Sequence, residues 1–139
     1  MFKKSLTQLV GAPIVAAGVL LLAGCASMGA AKPEDAVKQR AEMYWKARAA
    51  GQVDKAYELT TPSYRKLRTL DQFKMQFGTG AAIRGVSVVK VDCEPEKCAV
   101  RTKVDASPAL MGVSVGTIAT HLDEIWLLED GQWWRYQDI

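Results

Sequence analysis

The sequence predicts an α+β fold, with helices first and a curved antiparallel sheet after them. Two observations carry this. Between Pro33 and Phe77 apolar residues recur every three or four positions, and from Val86 onwards they recur every second position. The two patterns follow one another without alternating, which argues against a parallel sheet built from βαβ units. The length of 139 residues suits one domain. With 49% hydrophobic and 24% charged residues the composition is globular, which argues against disorder or collagen.

The first 24 residues have the pattern of a targeting segment. Lys3 and Lys4 precede an apolar run from Leu9 to Ala23 that contains Gly11 and Pro13. That run falls short of the roughly 20 residues a membrane-spanning helix needs. It ends in Leu22-Ala23-Gly24-Cys25, which resembles the lipobox of bacterial lipoproteins. The resemblance implies cleavage before Cys25 and acylation of that cysteine (palmitate or a similar chain), with residues 25–32 as a lipidated tether. Ala26 and Ser27 stand where an aspartate would favour inner-membrane retention. The expected location is therefore the cell envelope, on the periplasmic face of the outer membrane. The seven residues from Ala26 to Lys32 reach at most about 25 Å, so the domain sits close to its membrane.

From Cys25 onwards there are 16 basic and 15 acidic side chains, so the net charge is only +1 and no nucleic-acid partner is expected. The charge is unevenly divided. Residues 32–86 carry 11 basic and 6 acidic groups, and residues 87–139 carry 5 and 9.

The domain over residues 33–139 opens with Pro33-Glu34-Asp35, where proline and acids suit a helix N-terminus. Val37, Ala41, Tyr44 and Arg48 form one stripe with Trp45 beside it, and Gly51 terminates the helix. A shorter helix is expected over Val53–Leu59, broken by Thr61-Pro62, with a single turn over Ser63–Leu67. Thr69 and Gln72 read as a capping box for a helix whose Leu70, Phe73 and Phe77 face inward, ending at Gly78 and Gly80.

In the second half, Val89, Val91 and Cys93 are expected on one strand face. The turn Glu94-Pro95-Glu96-Lys97 then sets Cys98 opposite Cys93 and Val100 opposite Val91. Directly opposed residues lie within disulfide range, and the envelope permits oxidation. A structural disulfide is the expectation. Free thiols or a metal pair are the alternatives, although zinc would need two further ligands and His121 is the one histidine. Neither a metal nor a cofactor is expected. Ser107–Gly116 reads as a small-residue loop or irregular edge, Ile118–Leu128 as a long strand, and Trp133–Asp138 as its return after Glu129-Asp130-Gly131.

The helix, Ala50-Gly51-Gln52-Val53-Asp54, the short helix, Thr61-Pro62 and the final Glu129-Asp130-Gly131-Gln132-Trp133 hairpin resemble the nuclear-transport-factor-two-like superfamily. The resemblance covers most of residues 33–139. It implies a cone: a strongly bent antiparallel sheet wrapped around the helices, with a pocket at the open end. It also implies an outer sheet face that serves as a dimer surface. Members include enzymes and binding domains, so fold alone does not assign an activity.

No nucleophile elbow, zinc-binding helix, phosphate loop or dinucleotide fingerprint is present, and no catalytic residue is assigned. One constellation depends on the last turn. A two-residue Asp130-Gly131 loop pairs Leu128 with Trp133 and groups Arg135 with Glu124 and Trp126. A three-residue loop pairs Leu127 with Trp133 and groups Arg135 with His121, Asp123 and Ile125. The second is favoured, because it gathers Ile125, Leu127 and Trp133 in one core. It forms a candidate pocket of Tyr44, His121, Asp123 and Arg135, and leaves Trp126, Trp134 and Tyr136 as a candidate interface on the outer face. The expected function is a lipid-anchored, non-catalytic module for a small ligand or for a protein, either an envelope partner or a second copy. The rival readings are a small-molecule isomerase or hydrolase using the His/Asp/Arg pocket, and a structural subunit of an envelope complex.

Overall fold

A computed structural model describes residues 31–77, 82–110, 113–114 and 116–139. The expected leader, Cys25, most of the tether and the stop at Gly78 and Gly80 lie outside those residues.

Four helices come first: α1 (Pro33–Ala49), α2 (Val53–Glu58), α3 (Pro62–Leu67) and α4 (Leu70–Phe77). Pro33 starts α1, with Glu34 and Asp35 in its first turn and Lys46 and Arg48 in its last. This arrangement matches the helix dipole at both ends. Its stripe is fully buried at Val37, Ala41 and Tyr44, and Gly51 ends it at φ +72°. The Thr61 hydroxyl caps α3 by accepting from the Tyr64 amide at 3.3 Å. With Pro62 at the first helical position, this extends the expected single turn to six residues. The capping box closes as expected: Thr69 N donates to Gln72 Oε1 at 2.9 Å, and Gln72 N to Thr69 Oγ1 at 3.3 Å. Phe73 is fully buried between Tyr57 and Tyr64, as expected, and the placement expected for the Phe77 side chain lies outside the described residues.

The main sheet has the order β1 (Ala82–Glu94), β2 (Lys97–Ser107), β5 (Ile118–Glu129), β6 (Gln132–Arg135), antiparallel throughout. The segment read as a small-residue loop or irregular edge contains a short antiparallel pair, β3 (Ala109–Leu110) and β4 (Val113–Ser114). The sheet is a strongly curled half-barrel. As a result α1 packs against β1 at one edge and β6 at the other.

Two irregularities bend β1, between Ile83 and Gly85 and between Val88 and Lys90. The second inserts Val89 as an extra residue, which reverses the side-chain phase. Val86, Val88, Val91 and Cys93 therefore pack on the core, and Val89, expected inward, is 56% exposed. Beyond the bulge the predicted register is met. Val91 faces Val100, and Cys93 faces Cys98 at a Cα separation of 4.1 Å, joined by a disulfide.

The last hairpin corrects the favoured register. Glu129 pairs with Gln132, Leu128 with Trp133, and Trp126 with Arg135. Asp130 (φ 52°) and Gly131 (φ 73°) both occupy the left-handed region, as a two-residue type I′ turn requires. Because Asp130 joins Gly131 there, no third loop residue shifts the ladder. The free edge of β6 is covered by the α2–α3 linker: Arg135 N donates to Leu59 O at 2.9 Å, and Thr61 N to Arg135 O at 3.0 Å. A Cβ at Gly131 would touch nothing within 4 Å, so substitution there tests backbone strain alone. Gly131→Ala is expected to destabilise the domain by about 1–2 kcal/mol in denaturant unfolding. Asp130→Asn, which tolerates the same conformation, should be near neutral.

Candidate functional site

Strand β5 turns Glu124 inward between Leu122 and Trp126, opposite Val100 on β2. The Glu124 side chain is 1% exposed. A carboxylate in that position is costly unless its oxygens are bonded. Here three elements supply donors. Trp45 Nε1 from α1 and Thr102 Oγ1 from β2 each donate to Glu124 Oε2 at 2.8 Å. Arg135 Nε from β6 donates to Oε1 at 2.6 Å. Arg135 also donates to Gln137 Oε1, and its guanidinium lies 4.5 Å from the centre of the Tyr44 ring. Tyr44 Oη in turn accepts from Arg48 at 3.2 Å. These groups satisfy one another. The arrangement is a structural clasp and presents no free base to a substrate.

Of the four residues expected to share a pocket, Tyr44 and Arg135 meet. His121 and Asp123 do not join them. They lie on the other face of β5 and are exposed, because the two-residue turn puts Arg135 in phase with Glu124 and Trp126. Asp123 pairs instead with Arg101 at 3.4 Å across β2 and β5, both well exposed. Such a pair contributes little.

The expected aromatic interface is also divided. Trp126 is fully buried in the core, whereas Trp134 points to the opposite side of β6 from Arg135 and is partly covered. Tyr136 is 44% exposed. Trp126 belongs inside for the same reason that Arg135 does, since the two are paired.

An open cavity of about 630 Å³ lies elsewhere, between α1, α2 and Trp134. Met43 and Ala47 of α1, Ala50 just after it, Leu59 and Trp134 give it apolar walls. Arg40, Lys46 and Lys55 bring positive charge to its lining, with Glu58 as the acid. Trp134 is fixed by donating from Nε1 to Glu129 O at 3.0 Å. The guanidinium groups of Arg40 and Arg65 lie 4.6 and 4.8 Å from its ring centre. Burial, and then the neighbouring Arg65 charge, lower the pKa of Arg40 from its usual value. The sequence did hold a signal for this site. Met43, Ala47 and Ala50 stand four and three apart, a second apolar stripe beside the buried one.

No protein-family model matches the chain, and no curated protein matches it. Solved structures do. A SEC-C motif-containing protein from Rhodopseudomonas palustris aligns with a TM-score of 0.56 at 16% identity, over 76% of this chain and 75% of that one. TsrD from Streptomyces laurentii aligns at 0.51 and 18% identity, over 73% of this chain and 87% of that one. These likenesses extend to the fold alone. A protein described as an NTF2-like transpeptidase from Campylobacter jejuni covers 77% of this chain and 99% of its own at 8% identity. Its TM-score is 0.38, below the level at which a common fold is shown.

The clasp makes a stability prediction. Glu124→Leu or Arg135→Leu alone leaves a buried charge without its partner and should cost about 3–5 kcal/mol in chemical unfolding. The double variant should cost clearly less than the sum. His121→Ala and Asp123→Ala should each stay within about 0.5 kcal/mol of the parent.

Proposed function

We propose that this chain is a lipid-anchored, non-catalytic binding module of the bacterial cell envelope. Its ligand site is the cavity between α1, α2 and Trp134, outside the concave face of the sheet. The observation that carries this reading is the contrast between two places. Inside the sheet, the polar groups of Glu124, Arg135, Trp45 and Thr102 are consumed by one another. Outside it, an open cavity of about 630 Å³ has apolar walls and a charged lining, within the range of small-ligand sites.

The helices ahead of a strongly curled sheet are consistent with the cone of the nuclear-transport-factor-two-like superfamily, with its concave side filled. The isomerase or hydrolase alternative needs His121, Asp123 and Arg135 to converge, and their opposite faces weigh against it. Anchoring rests on the likeness of Leu22-Ala23-Gly24-Cys25 to a lipobox, and outer-membrane placement on Ala26-Ser27.

Native mass spectrometry of the protein extracted from the membrane fraction tests both parts at once. Acyl mass on an N-terminal Cys25 is expected, and its loss in Cys25→Ser. A non-covalent small-molecule adduct is expected in the parent and absent in Met43→Trp, where a large ring fills the cavity from a half-exposed position. An N-terminus elsewhere without acyl mass contradicts the anchor. An adduct that survives Met43→Trp, or no adduct in the parent, contradicts the binding site.

A further inference from the structure

Resting on the reading of that cavity as a binding site, we infer that its ligand is a small amphipathic anion: an apolar body held by Met43, Ala47 and Leu59, and a carboxylate or phosphate held by Arg40. Four observations on the cavity select this class.

The first is charge. Arg40, Lys46 and Lys55 line the cavity against one acid among the described residues, Glu58. The four ion pairs among the described residues, Lys90–Asp92, Arg101–Asp123, Lys103–Asp105 and Arg135–Glu124, use none of them. The second is an unmet donor. Arg40 Nε is buried and has no hydrogen-bond partner among the described residues. A buried donor without an acceptor is destabilising, and an anion in the cavity that draws the Arg40 side chain towards it removes the penalty.

The third is crowding of like charge. Arg65 reaches the same Trp134 ring as Arg40, so two guanidinium groups share one aromatic surface. Arg65 donates to the Glu58 backbone carbonyl, and neither guanidinium takes part in the ion pairs found among the described residues. The lowered pKa of Arg40, caused by burial and by Arg65, reflects the same positive field. The fourth is shape. The charge surrounds a concavity with apolar walls, which suits a compact molecule with one polar end. A guanidinium offers planar paired donors, the geometry that matches carboxylate and phosphate oxygens. An extended polyanion would instead need a continuous basic stripe.

Isothermal titration calorimetry on the full chain in a non-ionic detergent, with detergent alone as blank, tests this class. The probes are naphthoate and naphthyl phosphate. Naphthylmethylamine carries the same body with the opposite charge, and inorganic phosphate carries the charge without the body. At least one anionic naphthyl probe should bind, with the amine and inorganic phosphate weaker by about tenfold or more. Binding of one anion alone selects between carboxylate and phosphate.

Arg40→Gln should weaken the bound anion by about tenfold. Met43→Glu, which places a carboxylate in the cavity from a half-exposed position, should weaken it at least as much, with the thermal melt unchanged. Amine binding as tight as anion binding, and lost in Met43→Trp, overturns the anion assignment while the binding-site reading survives. Anion binding indifferent to both Arg40→Gln and Met43→Glu places the ligand elsewhere and overturns both. Failure of all four probes overturns the anion assignment, and the adduct lost or kept in Met43→Trp then decides the binding-site reading separately.

Discussion

The Glu124 carboxylate is the point on which the rest of this molecule depends. It lies on β5, and its partners come from α1 (Trp45), β2 (Thr102) and β6 (Arg135). A sheet of four strands can curl around a helix in many ways that bury similar apolar area. A buried carboxylate with three directed donors is far more selective, because an alternative packing leaves a charge without its partners. The cation–π contact of Arg135 with Tyr44 extends the same constraint to a second side chain of α1. The α2–α3 linker then bonds β6 at Arg135 itself. Helix, sheet and linker are held at one residue pair, and the concave side is filled.

That filling separates architecture from function. In a cone with an open interior, convergent polar side chains can be read as a reaction site. Here the inward polar groups complete the core, and an open cavity with apolar walls lies between α1, α2 and Trp134. The structural likeness to the Rhodopseudomonas palustris and Streptomyces laurentii proteins concerns the scaffold. It leaves the cavity to be read from the side chains of this chain.

The features legible in the sequence were the local ones. The capping box of Thr69 and Gln72, the stop at Gly51 and the opposition of Cys93 and Cys98 each depend on a few neighbouring residues, and each is present. Two features were misread because one residue changes the phase of a whole strand. The Val89 bulge answers to sheet curvature, and no residue type in Val88-Val89-Lys90 announces it. The Asp130-Gly131 turn was ambiguous because aspartate adopts either hand at modest cost, and the shifted register gathers Ile125, Leu127 and Trp133 in one core. The resolving clue was the partnership of Glu124 with Arg135, which coincide in phase only when the loop has two residues. The cavity was missed because Met43 and Ala47 flank the buried stripe without breaking its pattern, while the Trp134 wall arrives from the far end of the chain.

Hydrogen exchange of the Trp45 indole N–H, followed by NMR, probes the clasp directly. If the bond to Glu124 holds helix and sheet as one unit, this proton exchanges only through global unfolding, with the same protection free energy as the Val100 and Trp126 amides in the centre of the sheet. Exchange orders of magnitude faster than those amides would show that α1 parts from the sheet locally, and that Glu124 does not hold the fold together.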